Sequence, residues 1–457
     1  MAQSDIDILV VGAGACGMAA AIAAHDGGAS VAILEKLDRP GGNSSLSTGS
    51  VPAANSRYQR EAGITDSPDR MVADLTAIAG GTDAPDLVRR LAEVSAETVE
   101  WLIDDLGARM QLITAYRHIG HSVERLHAPV SRRGQDLVDD LLAAVARRDI
   151  PIATGNGVRE LLAEDGAVCG VVTLRADGSG ETIRAGKVIL ATNGYAGNPD
   201  LVRRFCPEIA GAQYFGARGS TGEAVVWGEK LGAALANMAA YQGYAAVAHP
   251  HGSLLSWTTI EKGGILLNAA GECFGNEALG YSGYARVVLA EGEFAYALFD
   301  QRIFEIASLE EEFVELWRYG GLKTAPTPAG IAAAYELPPE PVEAAVAAYN
   351  SAAAGTASDP FGRTAFGLAP LQAPFYGCRV VPGLFHTQGG LAVDGDARVL
   401  RPDGSAVPNL FAGGGAAAGI SGRAGALGYA SGNGLLSAIA LGRLAGRAAA
   451  AELQASR

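Results

Sequence analysis

The hydrophobic pattern at the start of the chain predicts a strand, a turn and a helix in close succession. Residues 5–11 form a β-branched run, residues 12–17 read Gly-Ala-Gly-Ala-Cys-Gly, and an Ala-rich segment with helical character follows. A second apolar run covers residues 30–34 and ends at Glu35. This order is typical of a βαβ unit, in which a glycine turn joins the first strand to its helix.

Farther along, the pattern alternates between helical and strand-like segments, which predicts an α/β fold. Pro68 and Pro85 divide a helical region. From about residue 237 to residue 366 the regular alternation gives way to loops, short strands and helices. The predicted helices are 69–106, 134–148, 341–349 and 434–453, and the predicted strands lie within 168–194, 389–400 and 409–414.

Composition narrows the class of protein. A chain of 457 residues predicts two domains, one of them discontinuous. The 35 basic against 49 acidic residues give a net charge of -14, which argues against nucleic acid or an anionic membrane surface as partner. Five scattered cysteines without a CxxC spacing favour a reducing cytoplasm and exclude a recognisable iron-sulfur, zinc or haem motif. This cysteine spacing leads us to expect no metal. The apolar run 6–24 is interpreted as a strand plus a helix, so we expect no membrane span.

The glycine turn predicts a dinucleotide site. Gly12 permits the tight bend, Gly14 lets the backbone approach a pyrophosphate, and Gly17 lets helix and strand pack closely. The N-terminus of the helix attracts the pyrophosphate charge. Glu35 stands where a carboxylate accepts hydrogen bonds from the adenosine ribose. NAD and FAD share this unit, so the turn alone does not choose between them.

Later blocks resemble the succinate dehydrogenase and fumarate reductase flavoprotein family. Residues 39–44 read Arg-Pro-Gly-Gly-Asn-Ser, and further similar blocks recur in family order at 191–195, 220–223, 268–277 and 386–391. The resemblance implies FAD as the cofactor and a Rossmann-like, discontinuous FAD-binding domain (1–236 and 367–457) with an inserted α+β capping domain (237–366). Residues 43–47 lack the flavin-attachment histidine of respiratory members, so we expect the FAD to be non-covalent.

The residues expected to contact FAD lie in the glycine turn, after the second strand, and near the closing helix. They are Gly12, Gly14, Ala15, Cys16, Gly17, Glu35, Lys36, Gly41, Gly42, Asn43, Ser44, Gly157, Val158, Thr192, Asn193, Gly194, Gly414, Gly432, Gly434, Leu435 and Leu436.

Three departures from the family pattern bear on the reaction. Fumarate reductases bind two carboxylates with arginines, and here Tyr429 stands where one of these arginines is expected. Tyr281 stands at a second such position, and Phe299-Asp300-Gln301-Arg302 displaces the third. We therefore expect no arginine clamp for a dicarboxylate.

The tyrosines resemble those of 3-ketosteroid dehydrogenases. The resemblance implies that Tyr429 binds the ketone oxygen, that Ser431 supports it, and that Tyr281 removes the α-proton or relays it, with Tyr284 as competitor. A phenol suits either task, since it donates to a ketone or, as phenolate, accepts a proton. The β-hydrogen then leaves as hydride to flavin N5. His386 matches a substrate ligand of fumarate reductases, and the alternative is a histidine that shapes the loop beside the flavin.

Several charged residues bear on the identity of the substrate, and they leave more than one class of substrate open. A polar cluster lines a pocket or coats a loop, and its members are Arg117, His118, His121, Arg125 and His127. Arg423 is a candidate partner for a substrate carboxylate, which favours a small oxo acid such as 4-oxocyclohexanecarboxylate over a steroid. The chain is also short for a steroid enzyme of this kind.

Three functions remain from the sequence. The first is an α,β-desaturase of a cyclic ketone that passes electrons to an external acceptor. The second is an ene reductase that runs the same hydride path backwards, although the sequence offers no haem or iron-sulfur ligands to supply electrons. The third is a non-catalytic flavoprotein subunit.

Overall fold

The structure is a computed structural model that describes residues 5–115, 117–175 and 177–456. Contacts between Cα atoms divide the chain into two compact units. Unit 1 comprises residues up to Cys206, the segment Gly216–Tyr241 and the segment from His386 onward. Unit 2 comprises Pro207–Phe215 and Gln242–Phe385.

The strands are labelled in chain order. They are β1 (Ile6–Val11), β2 (Val31–Leu34), β3 (Val51–Pro52), β4 (Met110–Leu112), β5 (Leu126–Pro129), β6 (Ile152–Ala153), β7 (Asn156–Glu164), β8 (Ala167–Arg175), β9 (Thr182–Leu190), β10 (Gln213–Tyr214), β11 (Leu235–Ala236), β12 (Ala239–Ala248), β13 (Ile265–Leu267), β14 (Ala295–Asp300), β15 (Lys323–Ala325), β16 (Phe375–Thr387), β17 (Gly390–Leu391), β18 (Arg398–Leu400), β19 (Ala406–Ala412) and β20 (Ala424–Gly425).

The α-helices follow the same convention. They are α1 (Ala15–Asp26), α2 (Gly42–Ser45), α3 (Arg57–Glu61), α4 (Pro68–Ala79), α5 (Pro85–Glu100), α6 (Gly134–Ala146), α7 (Pro199–Phe205), α8 (Glu223–Lys230), α9 (Thr258–Glu261), α10 (Gly280–Gly283), α11 (Ala285–Glu291), α12 (Gln301–Ala307), α13 (Glu311–Arg318), α14 (Pro328–Ala334), α15 (Pro339–Ala353) and α16 (Asn433–Ser456).

The main sheet of unit 1 has the strand order β18-β19-β9-β1-β2-β6. Strand β1 pairs in parallel with β2 and β9, and β9 pairs in parallel with β19. Parallel strands need crossover connections, and helix α1 provides the one between β1 and β2. The predicted βαβ unit and the α/β class are confirmed.

Helix α1 is buried from Ala15 to Ala24 because α16 packs against it. Small residues permit this packing. A Cβ atom at Gly442 of α16 would lie 2.3 Å from the carbonyl oxygen of Cys16, and one at Gly446 would lie 2.2 Å from that of Ala20. The two helix backbones therefore meet directly, which explains why Ala and Gly dominate both sequences.

Unit 2 is built on a sheet in the order β13-β14-β16-β12, in which β10 and β15 also pair with β16. Strand β14 lies antiparallel to β16, with Phe299 opposite Tyr376. Helices α9 to α15 belong to the same unit. The expected cap bounds of 237 and 366 both lie before the corresponding bounds of this unit at Gln242 and Phe385, and the assignment of a cap stays a prediction.

The predicted helices are present, although the proline-punctuated region 69–106 forms two helices, α4 and α5, followed by a π-helical turn at Trp101–Asp105. None of the helices in the described ranges is long and apolar enough to cross a membrane. Within the same ranges, no group of three or more His, Cys, Asp or Glu residues is arranged to hold a metal ion.

Candidate cofactor and active site

The glycine turn after β1 brings three backbone segments together. Gly12 has φ +107°, and a Cβ atom there would lie 2.3 Å from the carbonyl oxygen of Ala191. A Cβ atom at Gly17 would lie 1.8 Å from the carbonyl oxygen of Gly12. By contrast, Gly14 has open space, since a Cβ atom there would come no closer than 3.7 Å to the oxygen of Gly41. Gly12 and Gly17 therefore serve the backbone packing, and Gly14 leaves room for a ligand.

Glu35 lies directly after β2 with its carboxylate fixed by the backbone. Its Oε2 accepts the N–H of Ala13 at 2.8 Å, and its Oε1 accepts the N–H of Leu37 at 2.9 Å. These bonds hold the carboxylate beside the glycine turn. Each oxygen keeps a further lone pair for a ribose hydroxyl.

Lys36 has protein partners of its own. Its Nζ donates to Thr221 Oγ1 at 2.8 Å and forms an ion pair with Glu223. Strand β7 lies beside Lys36, since a Cβ atom at Gly157 would be 3.4 Å from Lys36 Cβ. Val158 follows Gly157 on that strand. The ammonium charge of Lys36 is therefore already compensated.

The turn formed by Gly41 and helix α2 lies against the start of α1. Gly41 has φ +123° and donates its N–H to the oxygen of Ala13 at 3.0 Å. Ser44 Oγ accepts the N–H of Ala15 at 3.2 Å. Asn43 Oδ1 accepts the N–H of Ala217 at 2.6 Å. Gly42, with φ +53°, has no atom within 4 Å of an added Cβ, so this turn presents an open backbone face.

The residues after β9 form a polar edge of the candidate site. The hydroxyl oxygen of Thr192 is buried and has no hydrogen-bond partner in the described structure. Asn193 has φ +63° and donates from Nδ2 to Ser220 Oγ at 2.8 Å. A Cβ atom at Gly194 would lie 2.3 Å from Thr387 Oγ1. A buried hydroxyl without a partner points to a ligand that completes the site.

The start of α16 forms another polar edge of the candidate site. Asn433 Oδ1 and Ser437 Oγ are buried and lack hydrogen-bond partners among the described residues. Leu435 and Leu436 are buried, so their backbone atoms rather than their side chains can face a ligand. Gly414, with φ +59°, lies close to Cys16, where an added Cβ would be 3.2 Å from Cys16 Cβ. Burial raises the pKa of the Cys16 thiol to about 12, which keeps it neutral.

These edges fit a bound FAD. The N-terminus of α1 offers N–H groups beside the open face of Gly14, which suits a pyrophosphate. Glu35 suits a ribose, and the partnerless oxygen atoms of Thr192, Asn433 and Ser437 suit a polar ring system. All of these residues belong to unit 1.

Tyr429 and His386 lie side by side at the start of α16. Their ring centroids are 6.4 Å apart with an interplanar angle of 68°. A Cβ atom at Gly434 would lie 3.4 Å from His386 Cε1. Burial lowers the pKa of His386 to about 4, so the imidazole is neutral near pH 7. The pair therefore places a phenol beside a neutral imidazole ring.

A histidine holds the segment that carries Tyr429 and Ser431. His121 Nε2 lies 2.8 Å from the carbonyl oxygen of Ser431, and the N–H of Ser431 donates to the oxygen of Ile119 at 3.0 Å. A Cβ atom at Gly120 would lie 2.4 Å from Ala430 Cβ. The segment 119–121 is thus a direct support for the loop 429–431, a role that the sequence did not reveal.

Much of the polar cluster around His121 is an internal network. The fully buried guanidinium of Arg125 donates to Asp66 at 2.7 and 2.8 Å and to Asp74 at 2.5 Å. His127 lies 3.0 Å from Ser56 Oγ and 2.9 Å from the oxygen of Arg125. Of the two alternatives for this cluster, these contacts support loop packing for Arg125 and His127.

Two further arginines have protein partners. The exposed side chain of Arg423 donates to Asp83 Oδ1 at 2.5 Å, so its charge is compensated. Arg117 Nη1 lies 3.4 Å from the carbonyl oxygen of Ser122 on an exposed loop.

In unit 2, Tyr281 belongs to an aromatic cluster. Its ring lies 5.2 Å from that of Tyr244, which stacks on Phe385 at 5.4 Å and 1°. Tyr281 is half-buried, whereas Tyr284 is fully buried and its hydroxyl has no partner within the described ranges. Burial also raises the pKa of Tyr284 above its ordinary value. Tyr244 carries no local sequence signal that distinguishes it from an ordinary core residue, so it could not be predicted as a site residue.

Known proteins match this chain over most of its length. Residues 7–435 match the family described as "FAD binding domain". The NADH:fumarate oxidoreductase of Klebsiella pneumoniae (strain 342) is 30% identical over 453 residues, which cover 98% of this chain and 48% of that protein. The chain thus spans about half the length of that relative.

Solved structures give the same relationship. The open conformation of a flavocytochrome c3 fumarate reductase is 28% identical, with a TM-score of 0.85 over 98% of this chain and 78% of that one. The 3-ketosteroid Δ4-(5α)-dehydrogenase from Rhodococcus jostii RHA1 shares the fold at 23% identity, with a TM-score of 0.76 and 98% coverage of both chains. The expectation that this chain is short for a steroid enzyme of this kind is therefore wrong. The chain belongs to the FAD binding domain family, that of the succinate dehydrogenase and fumarate reductase flavoproteins, and it is an FAD-dependent oxidoreductase.

Proposed function

We propose that this enzyme desaturates a cyclic ketone at the bond next to the carbonyl. The observation that carries the proposal is the neutral pair of Tyr429 and His386 at the start of α16. A phenol donates a hydrogen bond to a ketone oxygen, and this bond strengthens as the oxygen gains charge during removal of the α-proton. A carboxylate at the same place would instead need a cation.

In the proposed reaction, Tyr429 holds the ketone oxygen and stabilises the developing enolate. Ser431 supports the loop that carries it, and the contact between His121 and the carbonyl of Ser431 fixes that loop. Tyr281 is the proposed base or relay for the α-proton. Its half-buried side chain leaves it accessible, in contrast to the enclosed Tyr284. His386 lines the ketone site as a neutral hydrogen-bonding group.

Bound FAD supplies the hydride acceptor. We propose non-covalent binding, because residues 43–47 contain no histidine that could form a bond to the flavin. Residues 237–366 are the proposed substrate cap, and an external acceptor is expected to reoxidise the enzyme. Precipitation of the protein with acid should release all of its yellow colour into the supernatant.

The second candidate is an ene reductase. It is favoured by the similarity to the Klebsiella NADH:fumarate oxidoreductase and to the flavocytochrome c3 fumarate reductase. This chain covers 48% of the first and 78% of the second. Tyr429 argues against fumarate itself as the substrate, because a phenol stands where an arginine is expected to bind a carboxylate.

One anaerobic experiment separates the candidates. The oxidised enzyme is mixed with a panel of cyclic ketones, from 4-oxocyclohexanecarboxylate to a 3-ketosteroid, and the flavin absorbance is followed. Loss of the oxidised flavin band with a saturated ketone is the expected result. Absence of that loss, together with reoxidation of the reduced enzyme by the matching enone, would favour the reductase. A protein that does neither would be a non-catalytic flavoprotein subunit.

A further inference from the structure

Arg132 is a half-buried arginine whose contacts among the described residues are to uncharged groups. Its Nη2 lies 3.3 Å from Ser50 Oγ and 3.4 Å from His118 Nε2. Its Nε is buried and has no hydrogen-bond partner among the described residues. The contacts that the structure gives this side chain are therefore to neutral groups.

His118, which contacts Arg132, is neutral because its pKa is lowered. Burial, followed by the nearby Arg132 charge, lowers the pKa of His118 to about 4. A guanidinium has donors only, so His118 Nε2 must accept in this contact. The imidazole consequently brings no negative charge to Arg132.

Arg125, in the same region, is an arginine with a structural role. Its guanidinium forms ion pairs with Asp66 and Asp74 and is completely buried between them. Buried charges in proteins are normally paired in this way, because an uncompensated charge is costly to desolvate. The exposed Arg423 is likewise paired, with Asp83. Among the residues that the structure describes, Arg132 forms no ion pair with a carboxylate, although the chain carries an excess of acidic residues.

Both contacts of Arg132 lie on segments that touch the Tyr429 loop. The carbonyl oxygen of Ser50 would be 2.8 Å from a Cβ atom at Gly432. The carbonyl of His118 accepts the N–H of His121, whose side chain in turn reaches the carbonyl of Ser431. The guanidinium is thus anchored on the two segments that position the proposed ketone-binding loop.

We propose that Arg132 binds a carboxylate of the substrate and thereby selects a small cyclic oxo acid. This inference rests on the proposed function for the ketone end of the substrate. A carboxylate completes the unused donors of Arg132 with charge-assisted hydrogen bonds. Arg132 also has φ +57°, a left-handed backbone conformation that is uncommon for residues other than glycine. A neutral steroid would leave the charge of Arg132 without compensation.

The test measures binding apart from turnover. Cyclohexanecarboxylate, which has no ketone to oxidise, and its neutral analogue cyclohexanecarboxamide are titrated into the oxidised, FAD-loaded enzyme by calorimetry. The variants are Arg132→Gln and, as a matched control, Arg133→Gln, which removes the same charge from the exposed neighbouring residue. We expect Arg132→Gln to weaken carboxylate binding about ten- to hundredfold and carboxamide binding less than threefold. Arg133→Gln should bind both as the wild type does.

Three results would overturn the inference. They are wild-type enzyme that does not bind the carboxylate, equal weakening of both ligands by Arg132→Gln, and equal effects of the two arginine variants. If Arg132→Gln does not fold, Arg132→Asn replaces it, because asparagine tolerates the left-handed backbone. The flavin-absorbance experiment with cyclic ketones stands apart. If the enzyme oxidises only uncharged ketones, the desaturase proposal stands and the proposed role of Arg132 is excluded. If carboxylate binding depends on Arg132 but no ketone is oxidised, the role of Arg132 stands and the desaturase proposal is excluded.

Discussion

The Nε2 atom of His121 lies 2.8 Å from the carbonyl oxygen of Ser431, a residue 310 positions away in the chain. The other ring nitrogen, Nδ1, lies 3.5 Å from Arg125 Nη1. Since the guanidinium only donates, Nδ1 accepts and Nε2 carries the hydrogen that is donated to Ser431. Burial lowers the pKa of His121 to about 4, so this neutral form persists at physiological pH. His121 is therefore a positioning residue for the loop that carries Tyr429.

Replacement of His121 by leucine should lower kcat about tenfold and leave KM and the FAD content nearly unchanged. The loop loses its donor to Ser431, which loosens the geometry at Tyr429 without removing a group that touches the substrate. The measurement is steady-state desaturation of the preferred ketone, together with the flavin-to-protein absorbance ratio.

The matched variant His121→Gln keeps an amide N–H near the position of Nε2 and should restore most of the lost kcat. A merely structural role would appear as equal losses in both variants with a lower FAD content. That pattern would rule out His121 as a positioning residue.

Tyr429→Phe should slow the reduction of the flavin by ketone about 10²- to 10⁴-fold while FAD stays bound. The substitution removes one hydroxyl that is proposed to stabilise the enolate, and effects of this size are typical for such a donor. Stopped-flow absorbance in the absence of oxygen measures the rate. Tyr319→Phe is the control, because Tyr319 is 76% exposed in unit 2. Equal rates for Tyr429→Phe and wild type would exclude the proposed role of Tyr429.

The parts of the fold that the sequence predicted are those with local signals. The run from Ile6 to Glu35 carries its strand, glycine turn and helix in consecutive residues, and all three are present. Strand β16, of 13 residues, was not predicted because its pairing partners, among them β14 and β15, lie far away in sequence. Hydrophobic periodicity reports burial of a segment but not the identity of the segment that covers it.

The candidate site likewise contains residues that the sequence predicted and contacts that only the structure shows. Gly12, Gly14 and Glu35 were predicted from spacing, and Tyr429 was predicted from its place in a family pattern. The sequence could not predict the contact from His121 to Ser431, because these residues meet only in the folded chain. The same holds for the uncharged surroundings of Arg132. A cluster of histidines and arginines in the sequence shows polar character, but only the structure separates the paired Arg125 from Arg132.

Gly14→Ala should fold normally and lose FAD affinity, whereas Gly17→Ala should fail in folding. Gly14 has φ -77° and ample room for a methyl group within the protein, so the added Cβ can conflict only with a ligand that approaches the turn. A Cβ at Gly17 would lie 1.8 Å from the oxygen of Gly12, which the backbone cannot accommodate. Urea unfolding of the apoprotein and FAD titration by fluorescence quenching measure the two effects. Wild-type FAD affinity in Gly14→Ala would place the pyrophosphate elsewhere.

Four histidines have a pKa that burial lowers to about 4, and they should make the enzyme less stable in mild acid; they are His118, His121, His127 and His386. Burial lowers the pKa of His121 and of His127 to about 4, against an ordinary value of about 6.5 in the unfolded chain. Between these values the unfolded chain binds a proton that the folded chain does not, so the free energy of unfolding falls as the pH drops from about 6.5 toward 4. Each histidine should cost roughly 2 kcal/mol at pH 5 relative to pH 7.5.

Urea denaturation at pH 7.5 and pH 5 measures this difference directly. His127→Asn is the informative variant, because asparagine keeps a donor for the carbonyl of Arg125 and cannot be protonated. Its absolute stability should be lower than that of the wild type, since the bond to Ser56 is lost, yet its change between the two pH values should be smaller by roughly 2 kcal/mol. An unchanged pH dependence in His127→Asn would mean that His127 has the same pKa in the folded and the unfolded chain, and that other groups carry the acid sensitivity.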